Sequence, residues 1–238
     1  MNVSKVGTVV SDILSTTSKA VQKAPCFMEG EANPEKLTSA LECLATNAIP
    51  SVKKLPKKVD LPEFIYHITS KENYEKILKD GQMKVSDWEL NSDNGCKGIY
   101  FIDKNNFFNN WFGTKMPETC GNMPMDIGEL LMVWTCKDAK ESVAIKIPTS
   151  KLDLSQLRFR PYMEACRKTA ETYNPDTGII ESKLVKEGLP IEDLCKYTNT
   201  NEPIEYVYFG KITPEMFDGY SNALICEDMK EFATRLFG

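Results

Sequence analysis

The chain has 238 residues, 42% of them hydrophobic and 26% charged, and its net charge of −5 excludes a general grip on nucleic-acid phosphates, which relies on clustered Lys and Arg. Eight scattered cysteines without a C-x-x-C pair, beside a single histidine, exclude an ordinary structural zinc site and read as free thiols of a reducing compartment, with no metal expected. No run reaches the roughly 18 apolar residues of a membrane span and no compact apolar signal segment opens the chain, so a soluble, cytoplasmic protein is expected.

Residues 1–24 are rich in Ser, Thr and Val, with Val3, Val6, Val10, Ile13 and Leu14 at helical spacing. They read as a docking helix; a Ser/Thr-rich start also suits an effector exported into a host cell. Residues 25–32 form a linker. A helix then begins at Asn33 as N-cap with Pro34 at its first position, carrying Leu37, Ala40, Leu41 and Leu44 on one face. Residues 51–58 (SVKKLPKK) are a basic, proline-bearing connector. The boundary is placed here: residues 1–58 form a small helical N-terminal segment and 59–238 the main domain.

From Leu61 the pattern turns to short strands and helices. Residues 64–68 read as a strand. Ser70 caps a helix carrying Tyr74, Ile77 and Leu78 that ends at Gly81. Residues 98–102 are a second strand, and 104–126 a loop or short helix rich in aromatics. Residues 130–136 and 142–147 are expected as strands joined by a charged turn. A helix is expected over 162–172, a strand over 204–209, a short helix from Thr213 and a closing helix over 227–236. Strands interrupted by helices without regular alternation predict an α+β fold.

Three of these strands each carry one polar group. His67, the sole histidine, lies at the end of Phe64-Ile65-Tyr66-His67-Ile68. Tyr100 lies in Gly98-Ile99-Tyr100-Phe101-Ile102, and Glu205 in Ile204-Glu205-Tyr206-Val207-Tyr208. A carboxylate in a strand-like segment is costly unless it is paired or faces a cleft. Singly, each of the three reads as a structural residue.

Together, FIYHITSKENYEKILKDGQ, GCKGIYFID and EYVYFGKI resemble the ADP-ribosyltransferase fold of the H-Y-E type, the plan of poly(ADP-ribose) polymerase catalytic domains and of diphtheria-toxin-like enzymes. The resemblance covers residues 61 to about 215. It implies a split pair of small antiparallel sheets with flanking helices. It also implies NAD as co-substrate, with no metal, and transfer of one ADP-ribose unit to a macromolecular acceptor with release of nicotinamide. The protein is then a glycosyltransferase that suits a bacterial toxin or effector. Glu205 holds the ribose 2′-hydroxyl and stabilises developing positive charge. His67 donates a hydrogen bond to the same ribose, and the backbone at Ile68 and Thr69 clamps the nicotinamide amide. Tyr100 stacks on the nicotinamide ring, with Trp111 as a second stacking face.

The chain departs from the family pattern in three places. Ile68 replaces the glycine after the histidine. Phe108 falls where a serine binds the nicotinamide amide, so either the register shifts by a residue or two or another group such as Asn105 or Asn106 takes that role. Pro203 stands two residues before Glu205, where arginine-modifying toxins have Glu or Gln. A protein acceptor is expected rather than a nucleic acid, although Arg158, Arg160 and Arg167 cluster in sequence as an RNA-modifying relative would require. The same triad also serves an NAD glycohydrolase, and a degenerate fold used as an interaction module is the non-enzyme alternative.

Overall fold

A computed structural model of the chain describes residues 59–86, 90–118, 124–136 and 139–238. The expected helices within residues 1–58 and the basic connector lie outside these residues.

Strand β1, Phe64–Ser70, hands directly to helix α1, Lys71–Asp80. The Ser70 hydroxyl accepts from the Asn73 amide and Gly81 ends the helix with φ of 68°, a left-handed value that favours glycine. Strand β2 is Ile99–Ile102. Asp103 then caps a single helical turn, Lys104–Asn106, which runs on as a π-helix over Phe107–Trp111.

The expected strand over 130–136 is a helix, α2, Ile127–Thr135. The Asp126 side chain accepts from the Glu129 amide and the Glu129 side chain accepts from the Asp126 amide, a reciprocal capping box. Leu130 to Trp134 is apolar on every side, so its own periodicity favours neither state. The cap upstream decides it.

Strand β3, Glu141–Pro148, and β4, Leu157–Pro161, precede helix α3, Tyr162–Thr172. Strands β5, Tyr173–Asn174, and β6, Ile179–Ile180, form a small ribbon. Helix α4, Lys183–Glu187, and strand β7, Leu189–Pro190, follow. Strand β8 is Ile204–Tyr208, β9 is Gly219–Leu224, and helix α5, Met229–Phe237, closes the chain.

Among the described residues, seven strands form one sheet in the order β7-β4-β8-β2-β1-β3-β9, every neighbouring pair antiparallel. With the ribbon and the helices this is an α+β fold. The expected pair of separate small sheets is instead one sheet with a weak seam. β1 and β3 pair from Phe64↔Pro148 to Ser70↔Ser142, whereas β1 and β2 share only Tyr66↔Ile102. Past Tyr66 the β2-facing edge of β1 is released from the ladder, and the sheet opens there.

Alternation along β3 sorts the core. Val143, Ile145 and Ile147 join one cluster with Phe101, Phe159 and Tyr206, while Ala144 faces the other, where Phe232, Ala233 and Leu236 of α5 pack beside Trp111. A small residue at 144 lets α5 lie close to the sheet.

Candidate functional site

The order of the sheet makes β8, β2 and β1 consecutive neighbours, so Glu205, Tyr100 and His67 come from adjacent strands. Glycine at 98 helps set this closeness. A Cβ there would fall on Val207 Cγ1 and lie 3.2 Å from the Tyr208 carbonyl, so only a bare backbone lets β2 enter against β8. All three groups line one cavity of about 510 Å³, with Tyr66, Leu131, Trp134, Arg160 and Tyr162 among its other walls. A second cavity of about 500 Å³ shares His67, Ile68, Ser86 and Tyr100 with the first and runs past Thr69, Asn73 and Lys76. The two meet at the seam between β1 and β2.

His67 is half-buried at that seam. Its Nδ1 lies 2.8 Å from the Tyr100 carbonyl, bridging the strands where their ladder has stopped. A carbonyl only accepts, so Nδ1 carries the proton and the neutral ring keeps its lone pair on Nε2. Burial pushes the imidazole pKa below its ordinary value, more than the bond to Tyr100 raises it. In this tautomer the neutral ring presents Nε2 as an acceptor and not as a donor. This reverses the direction that the resemblance implied.

This burial links stability to pH. The unfolded chain protonates its imidazole near the usual 6.5, and the folded chain resists until lower pH, so the unfolded state binds more protons in between. Stability falls as pH drops from about 6.5 toward the folded value. Because His67 is the sole histidine, the comparison is clean. Urea unfolding at pH 7.5 and 5.5 is expected to show a smaller loss for His67→Asn than for the wild type. Equal losses in both proteins would refute the assignment.

Glu205 is buried within β8, only 7% exposed. Directly across the ladder on β4 is Arg160. Its Nε donates to Glu205 Oε2 at 2.9 Å, its Nη2 donates to the same oxygen, and its Nη1 donates to the Val185 carbonyl at 2.9 Å. The guanidinium also lies 4.9 Å from the centre of the Tyr100 ring, within cation–π range. Burial opposes charge on Arg160, but the Glu205 carboxylate overcomes it and holds the guanidinium pKa above its ordinary value. Both of these donors meet Oε2, so the ion pair is made through one carboxylate oxygen. In the sequence Arg160 stands out only as part of a basic cluster. Its place in Leu157-Arg158-Phe159-Arg160-Pro161, a run alternating apolar and basic, is the strand signal that could have found it.

Several expected contacts fall elsewhere. Trp111 is fully buried, donates from Nε1 to Asn106 Oδ1 at 3.1 Å, and packs on Tyr162 with ring centres 4.8 Å apart. It has no face for a ligand; the residue that extends from it to the cavity wall is Tyr162. The Asn106 amide also accepts from the Ile204 amide and donates to the Glu202 carbonyl, so it ties the 104–111 segment to β8. Asn105 and Asn106 line a different cavity of about 440 Å³, away from Glu205. Ile68 lines both parts of the site, and Thr69 only the second. In the loop before β8, Glu202 is committed to structure: its carboxylate accepts from the Met163 and Glu164 amides and caps α3, whose own N-cap position is Pro161.

Among the described residues no group of three or more His, Cys, Asp or Glu is placed to hold a metal ion, and no helix is long and apolar enough to cross a membrane. Compared with protein-family models, with curated proteins and with solved structures, the chain matches none.

Proposed function

We propose that the protein is an NAD-dependent mono-ADP-ribosyltransferase, acting on a protein acceptor. The observation that carries this reading is the convergence of His67, Tyr100 and Glu205 on one cavity at an opened seam of the sheet. The two cavities that meet there, each about 500 Å³, suit the two halves of a dinucleotide. In this reading the nicotinamide ribose lies by Glu205 and His67, and the pyrophosphate runs toward Lys76. Glu205 Oε1 accepts from the ribose 2′-hydroxyl, and His67 Nε2 accepts from a neighbouring hydroxyl. As the bond from ribose C1′ to nicotinamide breaks, its electron pair leaves with neutral nicotinamide. The Glu205 carboxylate then offsets the charge that develops on the ribose. The acceptor nucleophile forms the new bond to C1′ and gives up its proton to solvent. With water as acceptor, the same steps make a glycohydrolase.

One observation favours a second reading, a ligand-binding module without turnover. Arg160 already neutralises Glu205 and lies over Tyr100. Nicotinamide release from NAD separates the two. The transferase reading expects release by the purified protein and, in cell lysate, Glu205-dependent attachment of a labelled ADP-ribose to protein. Calorimetric binding of NAD without release would favour the module. Neither binding nor release would end the NAD reading.

A further inference from the structure

The aromatic surface open to a ligand comes from a residue that no motif marked. Trp134, in the last turn of α2, is 56% exposed and lines the Glu205 cavity. Leu131 and Thr135 line it from the same helix face, at the spacing that brings side chains together on a helix. The helix α2 is anchored by Ile127, Leu130 and Met132, all buried, so the indole stands on a fixed base. The other rings near the cavity are engaged, Tyr66 edge-on against Phe237 with ring centres 5.3 Å apart. Trp111 is fully buried, Tyr162 packs against it, and the Arg160 guanidinium lies over Tyr100. An indole left half in water forgoes much of the burial that makes tryptophan stabilising, and a planar ring laid on it would recover that.

Resting on the NAD reading, we propose that Trp134 is the stacking residue of this site and takes the nicotinamide ring of the dinucleotide. The choice between the two rings of NAD follows from charge. The nicotinamide of NAD is an N-alkylated pyridinium and carries a positive charge, whereas adenine is neutral. The electron-rich face of an indole attracts a cation over it more strongly than any other side-chain ring. Once the bond to ribose breaks, nicotinamide is neutral and that attraction is lost. The same contact therefore holds the substrate better than the product.

The test uses the whole protein and tryptophan fluorescence, comparing the wild type with Trp134→Leu so that the other two tryptophans are common to both proteins. Nicotinamide mononucleotide and NAD are expected to quench wild-type emission, ADP-ribose is not, and free nicotinamide is expected to bind more weakly than the mononucleotide. Trp134→Leu should lose the quenching and weaken calorimetric NAD binding roughly tenfold, within the range for an aromatic platform. Its far-UV dichroism should be unchanged, because the indole is largely exposed. Unchanged NAD affinity in the variant, or quenching by ADP-ribose and not by the mononucleotide, overturns the proposal while leaving the NAD reading in place. If the wild type does not bind NAD, the reading itself fails and this inference with it.

Discussion

Glu205→Gln is expected to lower nicotinamide release about 100-fold or more while leaving NAD affinity within a few fold, because the amide keeps the shape of the carboxylate but not its charge. Preorganised charge at a site of developing charge contributes most in the transition state, and removal of one such group costs on the order of 10²–10³ in turnover. The loss should therefore fall on kcat rather than on KM. Release within a few fold of the wild type would remove Glu205 from the chemistry. The variant is also expected to be less stable than the wild type. Conversion to glutamine strands Arg160, whose side chain is only 14% exposed, without its counter-charge. The activity measurement thus belongs well below the thermal midpoint of the variant.

The second large effect is on stability and isolates that pair. Removing one partner of a buried ion pair costs about 3 kcal/mol, since the remaining charge is held out of water. Replacing both partners by apolar groups of similar size is often nearly neutral, because the desolvation cost of two ions disappears with their attraction. Arg160→Met and Glu205→Leu are each expected to lower the urea-derived unfolding free energy by about 3 kcal/mol. The double variant should lose much less than the sum of the two single losses, with a coupling energy of about 2 kcal/mol or more. Additive losses would mean that the pair carries no interaction of its own. The double variant also supplies a control for Glu205→Gln, a folded protein that lacks the carboxylate and should release no nicotinamide.

Much of the local structure was legible in the residues. Ser70 and Gly81 delimit α1 by a side-chain cap and a left-handed turn, both properties of single residues. Residues 162–172 form the expected helix α3, and Gly98 to Ile102 contain β2. The misreading of 130–136 also has a local cause. An all-apolar run has no period, and the Asp126–Glu129 box that decides for helix lies at its start. Strand β9 has no clear signal in the sequence, because Gly219–Leu224 is largely exposed and carries no clean alternation. Its pairing comes from β3, which supplies the ladder from Glu141↔Leu224 to Lys146↔Gly219.

The sequence by itself determined which polar groups stand in short apolar strands: an imidazole, a phenol and a carboxylate, at His67, Tyr100 and Glu205. The tertiary structure alone decided what these groups meet. His67 and the Tyr100 carbonyl are 33 positions apart, and Arg160 and Glu205 are 45 apart. Their encounters depend on strand order, on register and on the seam where β1 leaves β2. Register between distant strands is set by the packing of whole faces, which no local pattern encodes. Burial follows the same rule. Trp111 and Trp134 are both tryptophans in apolar surroundings of the chain, yet one is sealed in the core and the other stands at the cavity, because the packing of α5 and α3 covers only the first.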